Sequence, residues 1–151
     1  MNELEREIQH LPPLARARAM KALGHPQPPT KEIKVFVYGT LLSGERNARW
    51  ALGARRHPAW THGTIYDTGY GFPAFTREGT TKVVGELLTV DQAGFDSMDR
   101  LEGHPRLYRR EEIEVYGECI GRHRAWVYIM NNLPSTAKVI ASGDWRNRNG
   151  Q

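Results

Sequence analysis

The segment VFVYGTLLSG, residues 35–44, decides how the chain is read. Val35, Phe36 and Val37 form a β-branched and aromatic run that reads as a buried strand. The run meets Tyr38, Gly39 and Thr40 before Leu41 and Leu42 resume it, and Ser43-Gly44 end it. A core strand that runs into a glycine and a hydroxyl, with no charge to mark a surface turn, has two readings. It is a strand end with a bulge, or a backbone opened so that a ligand can approach closely.

Outward from this segment the periodicity is that of short strands with a few helices. The first strand lies in IKVFVYGTL, residues 33–41, and ends at Gly39, and ERNARWALGA, residues 45–54, suits a short helix whose Ala48, Trp50, Ala51 and Leu52 cover a sheet. AWTHGTIYDTG (59–69) and KVVGELLTVD (82–91) are rich in β-branched residues and bounded by turn formers. The glycine-rich GYGFPAFTREGTT (69–81) between them reads as a loop or a pair of short strands. Asp91 is placed to cap a helix that carries Phe95, Met98 and Leu101 on one face and stops at Gly103 and Pro105. YRREEIEVYG (108–117) and HRAWVYIMN (123–131) read as an antiparallel pair, and STAKVIASGDWR (135–146) as a short helix and tail. The pattern predicts an α+β domain, a small curled mixed or antiparallel β-barrel with a few short helices.

Ahead of the barrel, residues 1–30 read as a helical N-terminal arm and a Pro-rich linker, with residues 31–151 as the main domain. Leu4, Ile8 and Leu11 recur at helical spacing until Pro12-Pro13 break the run. LARARAMKALG (14–24) is a second helical piece with Gly24 as its stop, and HPQPPT (25–30) is a stiff linker. The arm's apolar stripe must pack on its own domain or on a partner, and a homodimer through the arm is one such use.

With 151 residues, 39% hydrophobic and 25% charged, the chain has the composition of one ordinary soluble domain. No apolar run reaches membrane-spanning length, and the charged, amphipathic start is not a secretory leader, so the expected location is cytoplasmic. Net charge is +4. The basic residues (Arg55-Arg56, Arg109-Arg110, Arg122 and Arg124, Arg146 and Arg148) are scattered and mostly lie beside acids, which argues against a nucleic-acid partner.

Familiar catalytic sets are missing. Cys119 is the single cysteine and has no base nearby in sequence, and His10, His25, His57, His62, His104 and His123 lack the spacing of metal ligands on a helix face. There is no GxSxG, Walker A or GxGxxG segment, so neither a metal nor a cofactor is implied. The remaining place to look is FDSMDRLEGHPRLYRR, residues 95–110. Glu102 follows core-facing Leu101 at the end of the helix, where the negative dipole end and partial burial both raise a carboxyl pKa. A carboxyl held near neutrality suits general acid–base work. The ordinary alternative is a solvated Glu102, or one paired with Arg106 or Arg109.

YGTL at the end of the first strand, followed by VVGELLTVD, a short helix with an acid, and LEGHPRLYRR, resembles the gamma-glutamylcyclotransferase-like superfamily. The order of segments is nearest to the branch containing gamma-glutamylamine cyclotransferase, and the likeness covers residues 33 to about 130. The resemblance implies a small-molecule gamma-glutamyl amide as substrate. It is cleaved by intramolecular aminolysis to 5-oxoproline and a free amine, without cofactor and without an enzyme nucleophile. It makes Glu102 the catalytic acid/base, and Tyr38, Gly39, Thr40 and Leu41 the substrate loop. The backbone N–H groups around Gly39 to Leu41 then bind the α-carboxylate or the developing oxyanion, and Gly39 lets substrate lie against the backbone. Tyr108 and Tyr128 are further substrate-binding residues, each with a plain structural alternative, as strand start and core side chain. Tyr38 either lines the pocket or packs beneath it, Arg109 stays open, and Glu86 reads as structural. Phe72, Pro73 and Ala74 stand where such proteins place a loop over the substrate, and SGDWR (142–146) resembles the family's tail. Two further readings remain: a non-catalytic binding or adaptor module that keeps the fold, and an enzyme dedicated to removing a gamma-glutamyl group in one biosynthetic pathway.

Overall fold

The computed structural model describes residues 11–22, 31–51 and 53–149. In chain order these form α1 (Pro13–Ala22), β1 (Ile33–Val37), a 3-10 turn (Ala48–Ala51), β2 (Arg55–Asp67) and β3 (Pro73–Val90). There follow α2 (Gln92–Glu102), β4 (Tyr108–Gly117), β5 (Gly121–Met130), β6 (Lys138–Val139) and a second 3-10 turn (Trp145–Asn147). The strand order is β3-β1-β5-β4-β2, and pairing of β3 with β2 closes these five into a barrel, with β6 added outside β2. The pair β1–β5 is parallel and the other pairings are antiparallel, so the barrel is mixed, with few short helices. No helix among the described residues is long and apolar enough to cross a membrane.

β1 is paired along both edges, by β3 and β5, and its Val35, Phe36 and Val37 are all buried, so both of its faces are covered and the run shows no alternation. It stops at Val37, two residues before the expected end at Gly39, so the turn begins at Tyr38. The long hairpin β2–β3 supplies most of the wall, from Arg55↔Thr89 to Asp67↔Pro73. Of the two readings of residues 69–81, the loop holds only for 69–72. From Pro73 onward they are strand, because Phe75 and Ala74 pack into the core opposite Ile65 and Tyr66, while the Gly-rich part is absorbed as a register shift between Gly63 and Thr64. The expected helix in 135–146 is also absent. Val139 and Lys138 pair with β2, the Ile140 N–H donates to the Ile65 carbonyl, and Trp145 is buried in the core. Residues 45–54 give only the 3-10 turn, since Arg56 takes the Ala48 carbonyl from outside.

α2 matches its expected span and face: Phe95 and Met98 are buried and Leu101 packs against the core. Asp91 caps it through a hydrogen bond from Gly94 N to Oδ1 of 2.8 Å. The other carboxylate oxygen accepts from Leu14 N in the first turn of α1, also at 2.8 Å. One buried carboxylate therefore serves two helix starts. α1 begins at Pro13, where a missing N–H costs nothing, and Arg18 adds a bond to the Gly53 carbonyl. The second helical piece of the arm thus packs on its own domain. Leu4, Ile8, Gly24 and the linker lie outside the described residues.

Asp91→Ala removes both caps at a buried position and is expected to lower stability by about 2 kcal/mol in urea unfolding, with Asp91→Asn losing less. A loss under about 0.5 kcal/mol for the alanine variant would deny that the carboxylate holds both helices.

Candidate active site

The turn that begins at Tyr38 is folded on itself and pinned from outside. Leu42 N donates to the Gly39 carbonyl at 3.0 Å, Asn47 N to the Thr40 carbonyl at 2.8 Å, and Asn47 Nδ2 to the Thr40 hydroxyl at 3.0 Å. Glu86 of β3 accepts from Ser43 N and Ser43 Oγ, each at 2.7 Å, and pairs with Arg56 at 2.9 Å. Arg56 also donates to the Leu41 carbonyl, and Arg146 of the tail donates to the Ser43 carbonyl and hydroxyl. Burial pushes the Glu86 pKa up, but the Ser43 bonds and Arg56 outweigh it and hold the group below its usual value. Glu86 is therefore held in its charged form by the loop it anchors. The tail contributes by gripping the same loop.

Anchored in this way, the turn presents three successive N–H groups. Those of Gly39, Thr40 and Leu41 donate to no protein acceptor among the described residues. They border a cavity of about 170 Å³ that also receives Phe72 and Pro73 from the start of β3, Leu101 and Glu102 from α2, Leu107 and Tyr108 from β4 and its approach, and Tyr128 from β5. All seven residues expected at the site, Tyr38, Gly39, Thr40, Leu41, Glu102, Tyr108 and Tyr128, border this one cavity.

Glu102 is the last residue of α2, which ends in a left-handed Gly103 with φ of 65°. Burial pushes its carboxyl pKa up to about 7, and no protein cation or hydrogen-bond donor opposes the shift. The alternative pairings fail: Arg109 points to Glu111 and Asn131, and Arg106 is solvent-exposed. Arg109 accordingly takes no part in the cavity. The three tyrosines are held protonated. Burial raises all three pKa values, and the nearby Glu102 adds to the shift in each. Their hydroxyls donate to the Tyr128 carbonyl (Tyr38, 2.6 Å), the Pro73 carbonyl (Tyr108, 2.7 Å) and Asp99 Oδ1 (Tyr128, 2.6 Å). Tyr38 both walls the cavity and packs beneath it, between the rings of Phe36 and Phe75. Ala74 lies fully inside the core, whereas Phe72 and Pro73 reach the cavity.

Asp99, which the sequence reading passed over, ties α2 to the strands beside the cavity. It lies three residues before Glu102, hence on the same side of α2. Besides the Tyr128 hydroxyl it holds Arg110 at 3.0 Å, and that guanidinium lies over the rings of Phe95 and Trp126. This clasp fixes α2 on β4 and β5 and so fixes Glu102. The three-residue spacing of Asp99 and Glu102 is a signal the sequence carries. Arg46 and Asn47 also border the cavity and were not anticipated.

Gly39 has a reason different from the one expected. Its φ is not positive, but a Cβ there would stand 2.5 Å from Pro73 Cγ. Close packing of the turn on Pro73, and not only access for a ligand, requires glycine.

A closed mixed barrel with a small rim cavity, one buried carboxyl and a nest of N–H donors defines a small-molecule site. The family described as "Gamma-glutamyl cyclotransferase, AIG2-like" matches residues 35–147, and the chain belongs to it. The gamma-glutamylcyclotransferase family protein YtfP of Escherichia coli K12 is 29% identical over 119 residues, covering 77% of this chain and 98% of its own. The gamma-L-glutamyl-butirosin B gamma-glutamyl cyclotransferase of Niallia circulans is 35% identical over 105 residues, 64% of this chain and 66% of its own. Among solved structures, YkqA of Bacillus subtilis superposes with a TM-score of 0.63 at 25% identity, over 77% of this chain and 40% of that one.

Gly39→Ala is expected to cost about 1–3 kcal/mol by overpacking, and the added Pro73→Ala change to restore much of it. Additive losses in urea unfolding of the double variant would show that the contact is not what demands glycine.

Proposed function

We propose that the protein is a gamma-glutamyl cyclotransferase that cleaves a gamma-glutamyl amide by intramolecular aminolysis, with Glu102 as general acid and base. The observation that carries this is the Glu102 carboxyl, set in the cavity without a hydrogen-bond or ionic partner among the described residues and with its pKa raised to about 7 by burial. Such a group exchanges protons readily near neutrality. It needs a partner that only a substrate supplies, and a substrate α-ammonium is one.

The reaction then runs in balance. Ionised Glu102 takes a proton from the substrate's α-ammonium, and the freed amine attacks the γ-carbonyl carbon. Negative charge grows on the carbonyl oxygen as the new C–N bond forms. The oxyanion collapses, the bond to the leaving nitrogen breaks, and protonated Glu102 gives its proton to that nitrogen, while the second hydrogen of the new ring nitrogen passes through the regenerated carboxylate to the departing amine. The products are 5-oxoproline and the amine in its protonated form, with no water consumed. Because attack closes a five-membered ring, holding the folded conformer supplies much of the acceleration. The N–H groups of Gly39, Thr40 and Leu41 are suited to the α-carboxylate or the oxyanion, and the Thr40 hydroxyl, which accepts from Asn47, keeps its own hydrogen to donate. The ordered hydroxyls of Tyr38, Tyr108 and Tyr128 stiffen the walls. A binding module needs no carboxyl kept near half-ionised at neutral pH in its cavity, so the raised Glu102 pKa favours the enzyme.

Glu102→Gln keeps shape and removes the titrating proton. It is expected to lower 5-oxoproline release from gamma-glutamyl substrates by about 10²-fold or more. Activity kept within a few-fold of wild type would sink the mechanism. In the wild type, kcat/KM is expected to rise with pH through an inflection near 7, as Glu102 ionises.

Stability follows the opposite course. The folded pKa, about 7, lies above the ordinary 4.5, so the folded state binds more protons than the unfolded chain between those values. Stability therefore falls as pH rises through that window and levels off above it. The cost reaches at most about 3 kcal/mol. Glu102→Gln is expected to melt several degrees above wild type at pH 8 and level with it near pH 4.5. Equal melting temperatures at both values would contradict the buried carboxyl.

A further inference from the structure

The helix α1 lies ahead of residues 35–147, the family-matched part of the chain, and the reaction above gives it no task. Its contacts nevertheless fall on the two segments that carry the reacting groups. One is α2, whose last residue is Glu102. Asp91 caps that helix with Oδ1, and its Oδ2 takes the Leu14 N–H of α1 at 2.8 Å in a buried bond. The other is the stretch that runs from the 39–41 turn to β2. Arg18 of α1 donates to the Gly53 carbonyl at 2.8 Å. A Cβ on Gly53 would stand 2.5 Å from Ala15 Cβ, so helix and loop touch with no room for a side chain. That stretch is tied to the turn at its other end, since Trp50 N donates to the Asn47 carbonyl and Asn47 holds the Thr40 carbonyl and hydroxyl. Between the two segments is a second cavity, of about 230 Å³. Trp50 and Ala54 line it from the loop, Ala93 and Ser97 from α2, and Pro12 and Leu14 from α1 and its approach. Direct packing of the loop on the start of α2 is incomplete there, and α1 supplies contacts that bridge them.

We propose that α1 is a positioning element of the active site: docked on Asp91 and Gly53, it sets the placement of the helix that ends in Glu102 against the turn that carries the Gly39, Thr40 and Leu41 N–H groups. Its consequence for turnover rests on the cyclotransferase reading, whereas the coupling between the segments does not. Intramolecular attack needs amine, carbonyl carbon and catalytic carboxyl in one arrangement, and here the carboxyl and the N–H donors stand on different segments. A relative displacement of about 1 Å is enough to cost tenfold or more in rate. The Asp99 clasp holds the last turn of α2 to β4 and β5, and Asp91 with α1 holds the first. A rigid helix of 11 residues is oriented when it is held at both ends, so a shift admitted at Asp91 reaches Glu102.

The test uses the full chain and three variants. Leu14→Asp sets a second carboxylate beside Asp91 and removes a buried apolar side chain, which frees α1 without touching the barrel. Arg18→Met removes only the bond to Gly53. Val115→Ala, buried toward the far end of β4 from Tyr108, is the control for lost stability alone. Amide chemical shifts in ¹⁵N-labelled protein read the coupling without substrate. The Gly39, Thr40, Leu41 and Glu102 signals are expected to move in Leu14→Asp, to move less in Arg18→Met and to stay in place in Val115→Ala. Turnover is read with whichever of gamma-glutamyl-L-alanine and gamma-glutamyl-ethylamide the wild type uses faster, at a temperature where every variant is folded. There kcat/KM is expected to fall about tenfold in Leu14→Asp and about threefold in Arg18→Met, and to stay at the wild-type value in Val115→Ala. Unmoved signals at 39–41 and Glu102 in Leu14→Asp overturn the proposal. An unchanged kcat/KM in that variant overturns it too, as does an equal fall in Val115→Ala, which would make stability the whole effect. If wild type releases no 5-oxoproline from either compound, the cyclotransferase reading falls and the amide shifts alone decide the coupling. Should Leu14→Asp fail to fold, Arg18→Met carries the same comparison.

Discussion

The barrel closes where β3 is bonded on both flanks, and the close approach at Gly85 makes that closure fit. Glu86 to Thr89 pair with Val37 to Lys34 of β1 on one side and with Pro58 to Arg55 of β2 on the other. A Cβ on Gly85 would stand 2.1 Å from the Val37 carbonyl and against the Phe36 ring. Only glycine lets the end of β1 come this near, and immediately beyond it the chain must leave the sheet. The turn at Tyr38 and Gly39 is therefore a consequence of curling the sheet shut. The site sits at the rim because the first strand is expelled there.

Two glutamates on either side of that turn show how environment assigns roles. Glu86 and Glu102 are both partly buried, and burial alone would raise both pKa values. Glu86 is given two Ser43 donors and two arginines, stays ionised and becomes a structural pin. Glu102 is given none, and is left titrating near neutrality. Opposite surroundings thus set two glutamates of one chain to opposite ends of the carboxyl range. The hydrogen bonds around Glu102 fit this. Tyr38, Tyr108 and Tyr128 each spend their hydroxyl proton on a carbonyl or on Asp99, so none of them neutralises Glu102.

Legibility in the sequence followed locality. β1, β4, β5 and α2 announce themselves through apolar periodicity and the Asp91 and Gly103 caps, and they stand where expected. Residues 73–81 and 138–140 did not, since their glycine-rich or helix-tolerant composition is overruled by ladder bonds to β2, which lies far away in sequence. At the site, the YGTL turn and Glu102 were legible as a conjunction that resembles a family, and the bare physics left each with an ordinary alternative. The Asp99–Arg110–Tyr128 clasp, Arg46 on the cavity border and the grip of Arg146 on Ser43 all depend on contacts between distant segments. No local pattern encodes them.

The placement of Glu102 on the final residue of a helix resolves a conflict between precision and cost. A carboxyl on a free loop would be cheap but would find water or an arginine, of which this chain has many nearby. A carboxyl in mid-helix would be rigid but would face either the core or solvent. At the end of α2 the side chain is held by a helix that is capped by Asp91, clasped by Asp99 to Arg110 and terminated by Gly103, yet it projects beyond the packed layer of Phe95 and Met98 into the rim cavity. The unfavourable burial is borne by the rest of the fold, through bonds that do not touch the carboxyl. That is the arrangement expected of a group whose partner is meant to arrive with the substrate.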